Sequence, residues 1–80
     1  MHMPRRPGTP TTVTGRVLAI LEALGSGGRT GLSLVEISHR TELPLSTTFR
    51  LVQELLDGRM VARDARRRYH VGPRLRELAG

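Results

Sequence analysis

The sequence predicts a mainly α-helical domain that carries a small β-hairpin, which places it in the α+β class. Apolar residues recur at helical period in three segments between residues 13 and 56, and the pattern then changes to short strand-like runs at 60–63 and 68–71. Proline and glycine separate these segments. With 80 residues the chain makes one small domain. The predicted order is that of a winged helix-turn-helix, with a three-helix core, a wing and the start of a further helix.

The first helix is predicted over Val13–Leu24, because its apolar side chains fall close to one face. Thr12 or Thr14 caps its start, and a glycine-rich run ends it. Residues 25–31 are expected to form a flexible connection, after which Leu32 supplies a short edge strand. The apolar face consists of Val13, Val17, Leu18, Ile20, Leu21 and Leu24.

The flanks of the domain follow from composition. Residues 1–11 are rich in proline, glycine and arginine and lack periodicity, so we predict a disordered basic arm. The winged helix-turn-helix is placed over residues 12–72. Residues 73–80 are then the start of another helix.

The second helix begins with a recognisable cap. Ser33 and Glu36 have the spacing of a capping box, in which each side chain accepts a hydrogen bond from the other residue's backbone. The helix is predicted to run to about residues 39–41 and to bury Leu34 and Ile37.

The third helix is predicted over residues 44–57. Pro44 suits the first helical position, and Gly58 is expected to end the helix as a left-handed cap. A buried stripe follows at helical spacing and consists of Thr48, Leu51, Val52, Leu55 and Leu56.

A hairpin is predicted after Gly58. Its strands cover residues 60–63 and 68–71, with a turn at 64–67 between them. Gly72 and Pro73 end the sheet, and a helix restarts at about residue 74. The side chains expected to face the helices are Val61, Tyr69 and Val71.

Charge indicates the kind of partner. The sequence contains thirteen basic residues, all of them arginine, against seven acidic ones, for a net charge of +6. Arginine presents a planar fork of donors that suits phosphate and the edge of guanine. We therefore expect a polyanionic partner. Charge alone does not separate DNA from RNA or an anionic membrane, and a GC-rich genome with a solvated surface would give a similar composition.

The third helix carries polar residues suited to reading the major groove of DNA. Ser46 and Thr47 lie off its apolar stripe at the N-terminal end, where the helix dipole and free N–H groups favour phosphate. Arg50 follows one turn later and can reach guanine with two hydrogen bonds; the alternative is an ion pair with Glu54. Ser33 either only caps its helix or also binds a phosphate.

The hairpin tip is crowded with arginine. We interpret Arg66, Arg67 and Arg68 as wing contacts to the DNA backbone or minor groove, with a solvated charge run as the alternative. Phe49 lies off the core stripe and either contacts DNA or covers the hairpin. The two arginines of the arm resemble a minor-groove reader, or have no function.

Several segments together resemble the DNA-binding domain of IclR-type transcriptional regulators. The pattern Pro-x-Ser-Thr-x-x-Arg-Leu from Pro44 and the pattern Tyr-x-x-Gly-Pro-Arg-Leu from Tyr69 make the resemblance specific in combination. It extends over about residues 13–79. The segments that carry it are 16–22, 32–37, 43–52 and 69–75.

The resemblance implies an N-terminal DNA-binding domain of a longer, ligand-responsive bacterial regulator. Residues 73–80 would begin a linker helix towards a C-terminal domain that binds a small-molecule effector and is absent from this chain. The protein would be cytoplasmic, associated with the nucleoid, and would act as a homodimer or tetramer on a pseudo-palindromic double-stranded operator. The positions implied to contact DNA are Arg16 (near the backbone), Ser33, Pro44, Leu45, Ser46, Thr47 and Arg50.

Three positions depart from the family pattern. Leu45 stands where a basic or polar residue is common, so an apolar contact to a thymine methyl would replace a polar one. Thr48 puts a hydroxyl into the buried stripe. The wing lacks its usual tip glycine, which leaves its turn geometry open.

Other classes of function fit less well. No nucleophile–base pair or glycine-rich phosphate loop is present, so we expect no enzyme and no cofactor. His2, His39 and His70 lack a metal-ligand spacing, and no apolar run is long enough to cross a membrane. Low aromatic content argues against RNA. The alternative that stays open is a winged-helix module for protein–protein assembly with a basic face.

Overall fold

The computed structural model describes residues 11–79 and is a winged helix-turn-helix, as the sequence predicts. The expected arm, with its arginines at positions 5 and 6, lies outside the described residues apart from Thr11, as does His2. The elements in chain order are α1 (Val13–Ser26), a 3-10 turn (Gly28–Thr30), α2 (Leu34–Thr41), α3 (Leu45–Asp57), β1 (Val61–Arg63), β2 (Tyr69–Val71) and α4 (Pro73–Ala79).

Helix α1 is capped by Thr12, whose Oγ1 accepts the N–H of Gly15 at 2.9 Å. It is two residues longer than predicted and ends at Ser26. The prediction of a flexible connection over 25–31 is therefore wrong for its first two residues, which belong to the helix. The Ser26 hydroxyl donates to the Ala23 carbonyl at 2.9 Å. The glycine-rich run ends the helix as predicted, with Gly27 as the C-cap and Gly28 in left-handed backbone angles (φ 67°).

The capping box predicted for α2 is confirmed. The N–H of Ser33 donates to Oε1 of Glu36 at 2.8 Å, and the N–H of Glu36 donates to Oγ of Ser33 at 3.1 Å. At the other end Glu42 adopts left-handed backbone angles (φ 58°), and the N–H of Leu43 returns to the carbonyl of Ser38. This Schellman-type ending turns the chain sharply from α2 towards α3.

Helix α3 starts one residue later than predicted and ends at Asp57 as predicted, but the left-handed residue that follows it is not the predicted one. Pro44 is the N-cap rather than the first helical residue, because its ψ of 147° is extended. Its carbonyl accepts both the N–H and the hydroxyl of Thr48, so the buried threonine is satisfied. Gly58 is not left-handed (φ −84°); Arg59 is, with φ 61°. The N–H of Met60 donates to the carbonyl of Leu55. This hydrogen bond places the left-handed residue directly before Met60, at Arg59, which is one position after Gly58.

The hairpin pairs β1 with β2 in antiparallel register, with Val61 opposite Val71. Each strand is one residue shorter at its start than predicted. Leu32 forms the predicted edge contact as a single bridge to Tyr69, with hydrogen bonds of 3.1 and 2.7 Å. The hairpin thereby joins the segment that leads into α2.

The core lies between the three helices and the hairpin. Two residues predicted on the apolar face of α1, Val13 and Leu18, are instead 64% and 54% exposed, because helical periodicity continues beyond the area that α2 and α3 cover. Leu34 and Val71 are half-buried. The buried apolar residues are Ile20, Ala23, Leu24, Leu32, Ile37, Leu43, Leu51, Val52, Val61 and Tyr69.

Candidate nucleic-acid interface

The outer face of α3 is open to solvent. Ser46 and Arg50 lie one turn apart on it, opposite the buried stripe that includes Thr48 and Val52. Thr47 is half-buried at the flank of this face. These side chains project where a ligand lying along α3 would meet them.

The N-terminal end of α3 carries the positive end of the helix dipole. Pro44 offers no side-chain hydrogen bond to the first-turn N–H groups, and the first turn has no acidic residue. Ser46 and Thr47 add hydroxyl groups at the same end. The arrangement favours an anion, such as a phosphate of a nucleic acid.

Arg50 is not tied down by its neighbours. Within residues 11–79 no ion pair joins it to Glu54, which the sequence left as the alternative. Its side chain is exposed. The guanidinium is therefore free to meet a partner in front of α3.

Two large apolar side chains flank the polar ones. Leu45 and Phe49 lie four residues apart and are 48% and 51% exposed. Side chains at this spacing lie on the same side of a helix. Phe49 thus leaves about half of its surface open rather than being buried under the hairpin.

The wing turn is built without glycine. The N–H of Arg67 donates to the carbonyl of Asp64 at 3.0 Å, and Arg67 itself is left-handed, with φ 63°. A β-turn followed by one left-handed residue is the common way to close a three-residue hairpin loop. The turn has no glycine, and side-chain hydrogen bonds stabilise it instead. Oδ1 of Asp64 accepts the N–H groups of Arg66 and Arg68 at 2.8 and 3.0 Å.

The three wing arginines do not share one environment. Arg66 and Arg67 are exposed at the tip. Arg68 folds back, and its guanidinium donates to the carbonyls of Thr30 and Gly31 and to the carboxylate of Glu36. From the sequence we interpreted all three as wing contacts to DNA. No local sequence feature distinguishes Arg68 from the other two.

Two carboxylates near the wing are held in their ionised form. The pKa of Asp64 falls from 3.8 to about 2, chiefly because His70 bonds its side chain and because the N–H groups of Arg68 and Arg66 add to this. The pKa of Glu36 is lowered mainly by the N–H of Ser33, with Arg68 contributing. The Asp64–His70 pair was not predicted; the aspartate at the start of a turn was the only available signal.

The remaining predicted positions lie on other elements. Ser33 is half-buried and acts as the N-cap of α2. Arg16 lies in the first turns of α1 and is half-buried, and its Nε is enclosed with no hydrogen-bond partner among residues 11–79. Among residues 11–79 no hydrogen bond therefore links the Arg16 side chain to α3 or to the wing tip.

No three histidine, aspartate or glutamate side chains of residues 11–79 come close enough together to hold a metal ion. No helix in that range is both long and apolar enough to span a bilayer.

Comparison with known proteins bears on the whole arrangement. The model of the IclR helix-turn-helix domain matches residues 13–65. No curated protein matches the chain.

Solved structures give a consistent picture. An IclR homologue from Microbacterium hydrocarbonoxydans, complexed with 4-hydroxybenzoate, superposes with a TM-score of 0.76 and 31% identity over 84% of this chain. One from Microbacterium sp. strain HM58-2 gives 0.77 and 32% over 86%. A Rhodococcus sp. chain described as an IclR-family regulator shares the fold, with a TM-score of 0.66 and 22% identity over 96% of this chain. The match spans only 28%, 29% and 31% of those three chains.

Proposed function

The chain belongs to the family of IclR helix-turn-helix domains, the DNA-binding domains of transcription regulators, and from this premise we propose how it reads an operator. Helix α3 enters the major groove with its N-terminal end foremost, and the wing tip contacts the backbone or the minor groove. Ser46 and Thr47 bond phosphate or base edges. Arg50 makes the sequence-specific contact, to guanine.

The observation that carries this proposal is the combination of an exposed arginine, Arg50, with a helix end that lacks a side-chain cap on α3. Arg50 is exposed and forms no ion pair with another residue of the range 11–79, and it follows one turn behind a helix end that has no side-chain cap and carries the positive end of the helix dipole. The helix end suits a contact to phosphate, which positions a protein on DNA, and the arginine suits a contact to a base edge, which gives sequence preference. A helix that served only protein assembly would more often present apolar anchors along the whole face.

The wing contributes charge in a fixed place. Arg66 and Arg67 are exposed, and the turn that carries them is closed by hydrogen bonds to Asp64. Contacts from such side chains go to phosphate or the narrow groove and carry little base information. We assign them affinity and salt dependence rather than sequence preference.

The test uses Arg50→Ala. A site is first selected from randomised duplexes with the wild-type domain, and we expect an inverted repeat whose half-sites lie about 34–36 Å apart. Arg50→Ala should then weaken binding by about 1–3 kcal/mol and relax preference at one base pair per half-site. Arg76→Ala removes the same charge from α4 and serves as the matched control.

Two outcomes would contradict the proposal. Equal losses for Arg50→Ala on the selected and on random duplexes would remove base readout from this residue. No enrichment of any duplex would instead favour the winged-helix assembly module.

We further propose that the whole protein is a homodimer or tetramer that responds to a small molecule. The Microbacterium hydrocarbonoxydans relative is complexed with 4-hydroxybenzoate, and the matched region makes up only 28% of that chain. The effector is therefore expected to act outside the matched region. Adding 4-hydroxybenzoate to the 80-residue domain should leave its DNA affinity unchanged, and a change would place an effector site within residues 1–80.

A further inference from the structure

Arg68 connects three separate parts of the chain. Its Nε donates to the carbonyl of Thr30 at 2.8 Å, and one terminal nitrogen donates to the carbonyl of Gly31 at 3.0 Å. The same nitrogen lies 2.7 Å from Oε1 of Glu36. Hydrogen bonds to charged groups and to backbone carbonyls fix a guanidinium in direction as well as in place.

The acceptor on Glu36 is itself already held. The same oxygen, Oε1, accepts the N–H of Ser33 at 2.8 Å in the capping box of α2. One carboxylate oxygen therefore joins the start of α2 to the arginine that follows the wing turn. Because α2 passes directly into α3 through the turn at Glu42, this connection also relates the wing to α3.

The backbone of Arg68 forms the base of the wing. Its N–H donates to Oδ1 of Asp64, and its carbonyl accepts the N–H of Asp64 at 2.9 Å. Moving Arg68 would consequently move the turn that presents Arg66 and Arg67. The backbone of Arg68 thus bonds the wing turn, and its side chain bonds the segment before α2 and the first turn of α2.

We propose that Arg68 is a positioning residue, which sets the wing tip relative to the recognition helix and does not itself contact DNA. This rests on the proposed function for its consequence in binding. Its guanidinium is occupied by three acceptors, and its side chain is only 30% exposed. Lysine would not replace it, since a single ammonium lacks the fork that serves Thr30 and Gly31 from two nitrogens.

The experiment uses two variants of opposite charge effect. Arg68→Gln and Glu36→Gln both remove the ion pair, but the first lowers the net charge by one and the second raises it by one. Glu36→Gln retains a side chain that can complete the capping box, so α2 should persist. A circular dichroism melt of each variant checks that it is folded.

The first readout needs no DNA. Backbone 15N order parameters of residues 65–67 should fall in both variants from rigid values, near 0.85, towards the flexible range below about 0.6, while those of α2 stay high. Unchanged order parameters at the wing in both variants would overturn the positioning role, whatever the DNA affinity.

The second readout is a double-mutant cycle with Arg67→Ala on the selected duplex. In the wild type this change should weaken binding and reduce the salt slope by about one. In Arg68→Gln and in Glu36→Gln the loss caused by Arg67→Ala should shrink by about twofold or more. An unchanged loss, with weaker binding by Arg68→Gln and tighter binding by Glu36→Gln, would show a charge effect only and overturn the proposal.

Failure of the proposed function gives a different result. If no variant, including the wild type, binds a duplex selectively, DNA reading fails while the order parameters still decide the positioning role. Loss of order in both Gln variants would then support the positioning of the wing as a structural fact.

Discussion

Nε2 of His70 lies 2.8 Å from Oδ2 of Asp64, while the other oxygen of that carboxylate holds two N–H groups of the wing turn. The ring of His70 also leaves no room beside it, because a Cβ on Gly31 would come within 2.6 Å of its Cε1. Asp64 thus bonds two backbone N–H groups of the wing turn and the His70 ring through one carboxylate.

This arrangement predicts acid sensitivity of the wing. The pKa of Asp64 is lowered from 3.8 to about 2 in the folded chain, so ionised Asp64 contributes stability that is present above pH 3.8 and is lost as the pH falls towards 2. Asp64→Asn retains an oxygen for the two N–H groups but not the charge. The free energies of unfolding of the two proteins should differ at pH 5, and the difference should shrink steadily as the pH falls below 3.8 and through about 2. A difference that stays constant over this range would contradict the assignment.

Replacing Arg67 should change the stability of the domain and its affinity for DNA in opposite directions. A side chain at φ 63° is strained, so Arg67→Gly should stabilise the domain by up to about 1 kcal/mol even as it removes a proposed phosphate contact. Arg59 has φ 61° at the end of α3, outside the wing tip, and Arg59→Gly is the matched control. Urea unfolding should show a similar gain for both variants. Only Arg67→Gly should reduce the salt slope of DNA binding, by about one.

An equal loss of slope in the two glycine variants would mean that Arg67 acts only through net charge. A loss of stability in Arg67→Gly would show that its side chain makes contacts in the folded state that outweigh the strain.

These left-handed residues also mark what the sequence does not reveal. Periodicity predicts α1, α2, α3 and the hairpin, and the spacing of Ser33 and Glu36 predicts a cap, because both signals are local. The chain reversals at Glu42, Arg59 and Arg67 use left-handed non-glycine residues. A glycine therefore marks neither the first nor the third of them, and Gly58 marks the second one residue too early.

The wing arginines show a second limit of the sequence. Arg68 differs from its neighbours only through acceptors more than thirty residues away, which no local pattern encodes. Helix α3 was predictable because its polar face is defined by its own periodicity. The role of each wing arginine depends instead on how the hairpin docks.

Ser33 allows its two proposed roles to be separated. Ser33→Ala removes the N-cap acceptor and should destabilise the domain by about 1 kcal/mol, whereas Ser33→Gly should cost only a few tenths. Neither variant has a hydroxyl. If Ser33 also binds a phosphate, both should lose DNA affinity to the same extent at a temperature where both are folded. Affinity unchanged in Ser33→Gly would leave the serine with capping alone.

Leu45 and Phe49 form an exposed apolar pair beside the polar residues of α3. Removing such apolar surface from water on binding would lower the free energy of the complex. In the major groove the apolar group available is the thymine methyl. Replacing single thymines of the selected site by deoxyuridine should therefore lower affinity at one position per half-site by up to about 0.8 kcal/mol, the value of one buried carbon group. Leu45→Ala should abolish that difference, while Leu78→Ala, which shortens a side chain 69% exposed on α4, should preserve it. If thymine and deoxyuridine sites bind equally at every position, then the apolar pair does not read the methyl, and base preference depends on Arg50 and the hydroxyl groups at the start of α3.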